Sequence, residues 1–164
     1  MRTVTVEIKS RWNEGVLFRA EVDASTDANL RVRAAVEIAV KSGADLDGAD
    51  LTGAYLTGAY LARANLAGAN LTGADLTGAY LAGANLTGAN LAGANLAGAN
   101  LTGAYLDGAS LARAYLTGAN LDGANLARAY LTGAYLDDNS VMVGERPILQ
   151  IGPIGSASRY FVAY

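Results

Sequence analysis

The chain has 164 residues, a net charge of −3, no cysteine and no histidine. This length suits one domain with small additions, and the composition excludes disulfides, thiolate metal ligands and histidine as a general base. The charge is too small to indicate a charged partner by itself. The first twenty residues lack the apolar run of a signal peptide, and no apolar run is long enough to span a membrane, so we expect a cytoplasmic protein.

Residues 1–43 precede a repetitive region and are predicted to form a β-hairpin followed by a short helix. Apolar and polar residues alternate over 3–10, the letters RWNEG indicate a turn, and 16–24 is consistent with a returning strand. Apolar residues at helical spacing then predict an amphipathic helix of about three turns that ends near Gly43. Three residues are candidate N-caps for this helix: Ser25, Thr26 and Asp27. We expect the whole segment to cover the open end of the repeat.

A five-residue repeat fills residues 44–138 without interruption. Alanine recurs every five residues from Ala44 to Ala134, and leucine follows two residues after each alanine, which gives nineteen units. This repeat does not suit an α-helix. Five residues advance by about 140° beyond a full turn, so the leucines would lie all around the helix and form no apolar stripe. In extended backbone, by contrast, the Ala and Leu of each Ala-X-Leu triplet share one face, and X takes the other. The two remaining residues usually end in glycine, which suits a bend.

The repeat therefore predicts a coil of short extended sides with alanine and leucine inside. Burying each leucine should stabilise such a coil by roughly 1.5–3 kcal/mol. The structural core predicted for the first twelve units consists of Leu46, Leu51, Leu56, Leu61, Leu66, Leu71, Leu76, Leu81, Leu86, Leu91, Leu96 and Leu101.

Units such as ADLTG, ANLAG and AYLTG resemble the pentapeptide repeat family, whose pattern is Ala, then Asp or Asn, then Leu, then two variable positions. The resemblance extends over all nineteen units, although tyrosine at several X positions departs from the pattern. It implies an all-β solenoid, namely a right-handed quadrilateral parallel β-helix with four units per coil. Nineteen units then give about 4.75 coils.

Residues 139–164 leave the repeat. The letters ILQIG and RYFVAY are predicted to be two strands around the turn GPIGSAS, which makes a C-terminal β-hairpin. This hairpin could cap the last coil or pair with a second copy. Because proteins of the resembled family often dimerise, the resemblance implies a homodimer through this segment.

No pattern of catalytic or metal-binding residues is present. Catalytic triads and thiol chemistry need residue types that the chain lacks. The nearest group of acidic residues is Asp45, Asp47 and Asp50, but these occupy outward or corner positions where nothing desolvates them. Calcium-loop and phosphate-loop patterns do not match. We therefore expect no enzyme activity, no metal and no cofactor.

The X residues are expected to form columns on the surface, because residues twenty apart stack in a coil of four units. Stacked asparagines are predicted to hydrogen-bond between coils, and stacked tyrosines are predicted to pack face to face. The candidate surface contacts are Tyr60, Tyr80, Tyr115 and Tyr135.

Three functions are consistent with this sequence, and the favoured one is a non-enzymatic structural or protein-interaction scaffold. The resemblance also offers a DNA-mimicking binder or inhibitor of DNA gyrase, which protects a topoisomerase. The repeat contains eight Asp and three Arg, so it carries the negative charge that DNA mimicry needs, but most of the Asp lie near its ends. The narrow alphabet at X is also typical of an idealised or engineered repeat protein with no native function. Basic residues are few and scattered, so direct nucleic-acid binding is not expected. No membrane partner is expected either, since no apolar run is long enough to span a bilayer.

Overall fold

The computed structural model describes residues 2–136. It begins with an antiparallel hairpin of two strands, β1 (Thr3–Lys9) and β2 (Val16–Asp23). Alternation of apolar and polar residues forms this hairpin, and its inward side chains include Ile8 and Val22, which are buried. The two strands lie where the sequence predicts them.

A helix, α1 (Arg31–Lys41), follows a single 3-10 turn at Ala28–Leu30. None of the three N-cap candidates caps α1 itself, whose N-cap is Leu30 without a side-chain hydrogen bond. Asp27 instead caps the 3-10 turn, because its carboxylate accepts the backbone N–H of Asn29. Gly43 follows the helix with a φ of 74°, the left-handed conformation that commonly ends helices. With 11 residues, α1 is far shorter than a membrane span, and no helix within residues 2–136 is long and apolar enough to cross a bilayer.

The hairpin pairs with the first coil of the repeat. Arg11 donates its backbone N–H to the carbonyl of Gly48, and the carbonyl of Lys9 accepts the N–H of Asp50. Ser10 forms an antiparallel bridge with the same stretch. The hairpin therefore covers part of an edge whose N–H groups would otherwise lack a neighbouring coil.

Helix α1 covers another part of the same edge. Its apolar residues Ala35, Val36 and Ala39 are fully buried in a cluster that continues into the repeat. The carboxylate of Glu37 accepts the backbone N–H of Tyr60, and it is held by an ion pair with Arg33 four residues earlier. The helix thus supplies both apolar contacts and a hydrogen-bond acceptor to the first coil.

The repeat winds into a four-sided coil. X residues twenty apart are joined by parallel bridges, and the bridges fall into four separate columns. The columns define four faces: face 1 with Asn65, Asn85, Tyr105 and Asn125; face 2 with Asp50, Asn70, Asn90, Ser110 and Tyr130; face 3 with Tyr55, Asp75, Asn95, Tyr115 and Tyr135; face 4 with Tyr60, Tyr80, Asn100 and Asn120. We number the coils from residue 45, so that the coils are 45–64, 65–84, 85–104, 105–124 and, for the fifth, 125 onward.

Backbone hydrogen bonds join each unit of the middle coils to the coils on both sides. In the unit that begins at Ala69, Asn70 donates its N–H to Ala49 in the preceding coil. Leu71 and Gly73 donate theirs to carbonyls in the following coil. The next alanine then donates to the carbonyl of the leucine three residues earlier, which closes a four-residue turn. Backbone groups are thereby paired although no side of the coil is a long strand.

The fifth residue of each unit adopts a left-handed backbone conformation. Glycines at this position have φ between 60° and 71°, whereas the residue before them does not have positive φ, which is the pattern of a type II turn. Glycine takes this conformation without steric strain. Three arginines nevertheless adopt it in place of glycine: Arg63, Arg113 and Arg128, with φ of 61°, 57° and 58°.

Alanine and leucine fill the interior of the coil. Each of the twelve leucines predicted for the core is buried, with no more than 3% of its surface exposed. The leucine column continues as far as Leu136. The predicted C-terminal β-hairpin and dimer segment lie outside the described residues, as do the last two residues of the nineteenth unit.

Gly48 is predicted to tolerate alanine less well than other glycines of the repeat. A Cβ at Gly48 would lie 2.4 Å from Nε1 of Trp12, whereas a Cβ at Gly73 would meet no atom within 4 Å. Both glycines have nearly the same φ, so the backbone strain on substitution is matched. We expect Gly48→Ala to lower the free energy of unfolding by about 1–3 kcal/mol more than Gly73→Ala does. Urea titration followed by the fluorescence of Trp12, the single tryptophan, measures both. Equal losses would contradict the packing of Trp12 on this corner.

Candidate functional site

The X side chain stabilises the corner of its own unit when it is Asp or Asn. In all eleven described units of this kind, an Oδ1 atom accepts the backbone N–H two residues later, at 2.9–3.3 Å. Asn90, for example, accepts the N–H of Ala92 at 3.1 Å. This is an Asx turn, in which a short side chain replaces a backbone acceptor. The turn explains physically why Asp and Asn dominate the X position.

The continuous asparagine ladder predicted between coils is mostly not formed. On face 1, Asn85 donates to Asn65 at 3.1 Å, and Asn65 donates to Asp45 at 2.6 Å. On face 2, Asn70 donates instead to the hydroxyl of Thr52. The prediction therefore fails for most asparagines, although the corner bond does not by itself prevent the ladder, since Oδ1 of Asn65 accepts both the N–H of Ala67 and the amide of Asn85.

Tyrosine at X cannot supply the Asx acceptor, because its ring is rigid and its oxygen lies too far from the corner. Forgoing such a hydrogen bond costs about 0.5–1.5 kcal/mol per unit. Seven X residues are nevertheless tyrosine, and all are exposed: Tyr55, Tyr60, Tyr80, Tyr105, Tyr115, Tyr130 and Tyr135. These side chains therefore contribute to the surface rather than to the core or the turn.

Two pairs of tyrosines stack. The ring centroids of Tyr60 and Tyr80 are 4.9 Å apart with an interplanar angle of 5°, and those of Tyr115 and Tyr135 are 4.8 Å apart at 6°. These spacings are close to the distance of about 4.8 Å between hydrogen-bonded strands, so the coil itself sets the stack. The four candidate surface contacts thus form two pairs on different faces, and the structure does not unite them in a single patch.

The three left-handed arginines are a feature that sequence reasoning missed. Arg128 reaches back one coil and forms a two-pronged ion pair with Asp107, whose pKa is lowered by this hydrogen bond. Arg113 extends along the rod, since its Cγ lies 3.3 Å from the position of a Cβ on Gly133. The signal was visible in the sequence, because arginine replaces glycine at the fifth position of only these three units.

Tyrosine at X and arginine at the fifth position, which replace the usual Asp or Asn and the usual glycine, lie toward the two ends of the repeat. The third coil, residues 85–104, has only Asn at X and only Gly at the fifth position. We call the group in the first two coils the N-terminal aromatic cluster: Tyr55, Tyr60, Arg63 and Tyr80. We call the group in the fourth and fifth coils the C-terminal aromatic cluster: Tyr105, Arg113, Tyr115, Arg128, Tyr130 and Tyr135.

The acidic residues of the first coil do not form a reaction centre. Asp45 and Asp50 each accept the N–H of their own corner, and Asp50 also accepts the hydroxyl of Thr52. Across residues 2–136, no group of His, Cys, Asp and Glu side chains could hold a metal ion. Asp45 and Asp50 therefore act as turn acceptors.

Comparison with known families identifies the repeat. The family described as Pentapeptide repeats matches in eight copies, over residues 42–78, 74–112 and 109–138, which is more than half of the chain. The chain belongs to the pentapeptide repeat family. Proteins of this family fold as right-handed quadrilateral β-helices, which agrees with the four columns of bridges.

Solved structures of other pentapeptide repeat proteins are similar to this one. A protein of the Arabidopsis thaliana thylakoid lumen is 36% identical with a TM-score of 0.54, over 55% of this chain and 63% of its own. Rfr23 of the cyanobacterium Cyanothece is 37% identical with a TM-score of 0.35, over 60% of this chain and 66% of its own. HetL, a protein involved in heterocyst differentiation regulation in the cyanobacterium Nostoc, is 32% identical with a TM-score of 0.27, over the same shares. This pentapeptide repeat protein thus spans less than two thirds of the plant protein, and no curated protein matches it.

Restoring the Asx turn at a tyrosine position should stabilise the repeat. Tyr105 is exposed and is bridged to Asn85 and Asn125, so it has no stacking partner to lose. We expect Tyr105→Asn to raise the free energy of unfolding by about 1 kcal/mol relative to Tyr105→Ala, which removes the ring without adding an acceptor. Urea denaturation of both variants measures the difference. Equal stabilities would contradict the Asx explanation of the X position.

Asp75 should make stability depend on pH in acid. The hydroxyl of Thr77 lowers the pKa of Asp75 below its ordinary value of 3.8, and the N–H of Thr77 and the hydroxyl of Thr57 act in the same direction. A lowered pKa stabilises the folded form fully above pH 3.8, and this contribution is lost as the pH falls through the lower folded value. Asp75→Asn keeps an Oδ1 acceptor but does not titrate. We expect the stability of the wild type relative to this variant to be constant above about pH 4 and to fall below it in urea titrations. A difference that is independent of pH would contradict this assignment.

Proposed function

We propose that this pentapeptide repeat protein is a non-enzymatic protein-interaction scaffold that contacts its partners through the two aromatic clusters. The observation that carries the proposal is the replacement of turn-stabilising Asn by exposed Tyr in seven units. A residue that weakens its own turn and lies on the surface is expected where binding, rather than folding, favours it.

The chemistry of the clusters supports a protein partner. Tyrosine and arginine are enriched among the residues that contribute most to protein interfaces. Tyrosine supplies a large rigid contact area with few rotatable bonds. The stacked pairs are already ordered by the coil, so binding would restrict them less than it restricts free side chains.

The residue types of the chain support a non-enzymatic role. The chain has no histidine or cysteine, and the carboxylates of the first coil serve as turn acceptors. A backbone bonded to the neighbouring coils on both sides through the middle of the repeat also offers a rigid surface rather than a cleft that closes on a substrate. Its surface positions can vary without disturbing the interior.

The charges support DNA mimicry less well. The third coil has no charged residue, so acidic groups cannot form a continuous stripe along the rod. Arg128 of the fifth coil pairs with Asp107 of the fourth and neutralises it. We expect no effect of the purified protein in a DNA gyrase supercoiling assay, and inhibition at about micromolar concentration would favour the DNA-mimic alternative instead.

The scaffold proposal is tested by restoring asparagine at the four stacked positions, Tyr60, Tyr80, Tyr115 and Tyr135. The matched control carries Asn85→Ser and Asn90→Ser in the third coil, because Ser110 shows that serine is accepted at X. Proteins captured from the native cell by each form are quantified by mass spectrometry, and each is then titrated as a purified protein by calorimetry. We expect at least one partner that binds the wild type and the control but loses about tenfold or more in affinity for the tyrosine variant. Equal affinity of all partners for the three forms, with all three forms folded, would contradict the proposal.

Two further properties are part of the proposal, namely a homodimer through residues 139–164 and a cytoplasmic location. Light scattering of the full chain and of a chain ending at Asp138 tests the first. A dimeric full chain and a monomeric shortened chain are expected, and a monomeric full chain would contradict it. Cell fractionation tests the second, with recovery in a membrane or exported fraction as the contrary result.

A further inference from the structure

We propose that the stacked pairs Tyr60–Tyr80 and Tyr115–Tyr135 are sites of oxidative cross-linking, at which a dityrosine bond joins adjacent coils. The paired rings are nearly parallel, with centroids 4.9 Å and 4.8 Å apart. Both members of each pair are open to solvent, at 64% and 47% for the first pair and 49% and 39% for the second. An oxidant in solution can therefore reach rings that already lie beside their reaction partners. This inference is independent of any protein partner.

The reaction needs two one-electron oxidations and a coupling step. Each phenol gives up one electron and its hydroxyl proton. This leaves a tyrosyl radical with spin density at the two ring carbons ortho to the phenolic oxygen. The two radicals form one carbon–carbon bond between such carbons. Each ring then loses the hydrogen at that carbon as a proton and regains a proton on oxygen, so that the net change is the loss of two electrons and two protons. Hydrogen peroxide, acting through a haem peroxidase, accepts them and is reduced to two molecules of water.

The coil brings the radicals together without an encounter in solution. Groups held side by side react as if their concentration were far above the micromolar concentration of the protein. Stacking along the rod keeps equivalent ring carbons of the two residues on the same side, and the exposure of the rings lets them tilt towards each other as the bond forms. Radical coupling within one molecule should therefore be faster than coupling between molecules.

Three other tyrosines serve as internal controls. Tyr55, Tyr105 and Tyr130 are each 55% exposed, which is within the range of the paired residues. Within residues 2–136, their bridged neighbours are Asp, Asn or Ser: Tyr55 is bridged to Asp75, Tyr105 to Asn85 and Asn125, and Tyr130 to Ser110. Oxidants should reach them equally well, but none is stacked on another tyrosine in the part of the chain that the structure describes.

The position of the pairs gives the cross-link a structural consequence. One pair joins the first coil to the second, and the other joins the fourth to the fifth, whereas the third coil has no tyrosine. The outer units of a repeat array are the ones that open most readily. A bond between residues twenty apart would restrict the unfolded chain as a disulfide does, and so would stabilise these coils.

The test uses the purified full chain at low micromolar concentration with a haem peroxidase and hydrogen peroxide. The covalent monomer is separated from covalent dimers by gel filtration in denaturant, its dityrosine fluorescence is measured, and it is digested with trypsin. Cleavage after Lys41, the three left-handed arginines and Arg159 separates the paired residues, since it places Tyr60 in 42–63, Tyr80 in 64–113, Tyr115 in 114–128 and Tyr135 in 129–159. Three of these peptides also contain Tyr55, Tyr105 or Tyr130, so fragmentation of each linked pair by tandem mass spectrometry identifies the joined residues.

Two linked peptide pairs are expected in the monomer: 42–63 with 64–113, and 114–128 with 129–159. Tyr60→Asn should abolish the first and keep the second, whereas the matched variant Tyr55→Asn should keep both. Dityrosine in the monomer should fall roughly tenfold in the double variant Tyr60→Asn and Tyr115→Asn. Cross-linked wild-type monomer should also melt at a higher temperature than untreated protein.

Three results would overturn the proposal. The first is a yield in the double variant equal to that of the wild type. The second is dityrosine confined to covalent dimers, and the third is an even distribution of links over the paired and unpaired tyrosines. Asparagine restores the Asx acceptor in each variant, so loss of the fold does not explain a lower yield, and far-ultraviolet circular dichroism of every variant verifies this.

Discussion

The structure depends on one constraint: the chain must turn a corner after every leucine while its backbone remains hydrogen-bonded to the coils on both sides. A left-handed fifth residue and a bond from the next alanine to the leucine carbonyl make the turn. Because every unit turns in the same way, alanine and leucine always face inward, and leucines from all four sides meet in one core. The interior is thereby fixed, and the X position and the corner residues remain free to vary on the surface.

The surface departs from its most stable sequence near the ends of the rod. At X, asparagine or aspartate is the local optimum because it accepts the corner N–H, and the third coil keeps asparagine throughout. The first two and last two coils replace it with exposed tyrosine at several places and twice stack the rings. Arginine in a left-handed conformation, which strains the backbone by about 1–2 kcal/mol, is found in these coils as well. Binding or chemistry at the surface explains such residues better than folding does.

Sequence periodicity predicted the interior well, since two apolar residues in every five suit neither a helix nor a long strand. It could not give the number of sides, because that depends on the turn angle, and four sides came from the family resemblance. The Asx turns were missed because a linear sequence does not show that Oδ1 of Asn90 lies 3.1 Å from the N–H of Ala92. The hairpin and α1 were predicted from local patterns. The hydrogen bond from the backbone N–H of Tyr60 to the carboxylate of Glu37 was not predicted, because it depends on where the helix packs against the first coil.

A comparison of two neighbouring substitutions tests the inward assignment of leucine most directly. Leu91 has no exposed surface, so Leu91→Asp would bury a charge without a partner, whereas Asn90→Asp lies outside and keeps the acceptor for Ala92. Thermal melting is followed by far-ultraviolet circular dichroism for both variants and the wild type. We predict that Leu91→Asp abolishes the cooperative transition and that Asn90→Asp melts close to the wild type. Melting of Leu91→Asp at the wild-type temperature would contradict the account.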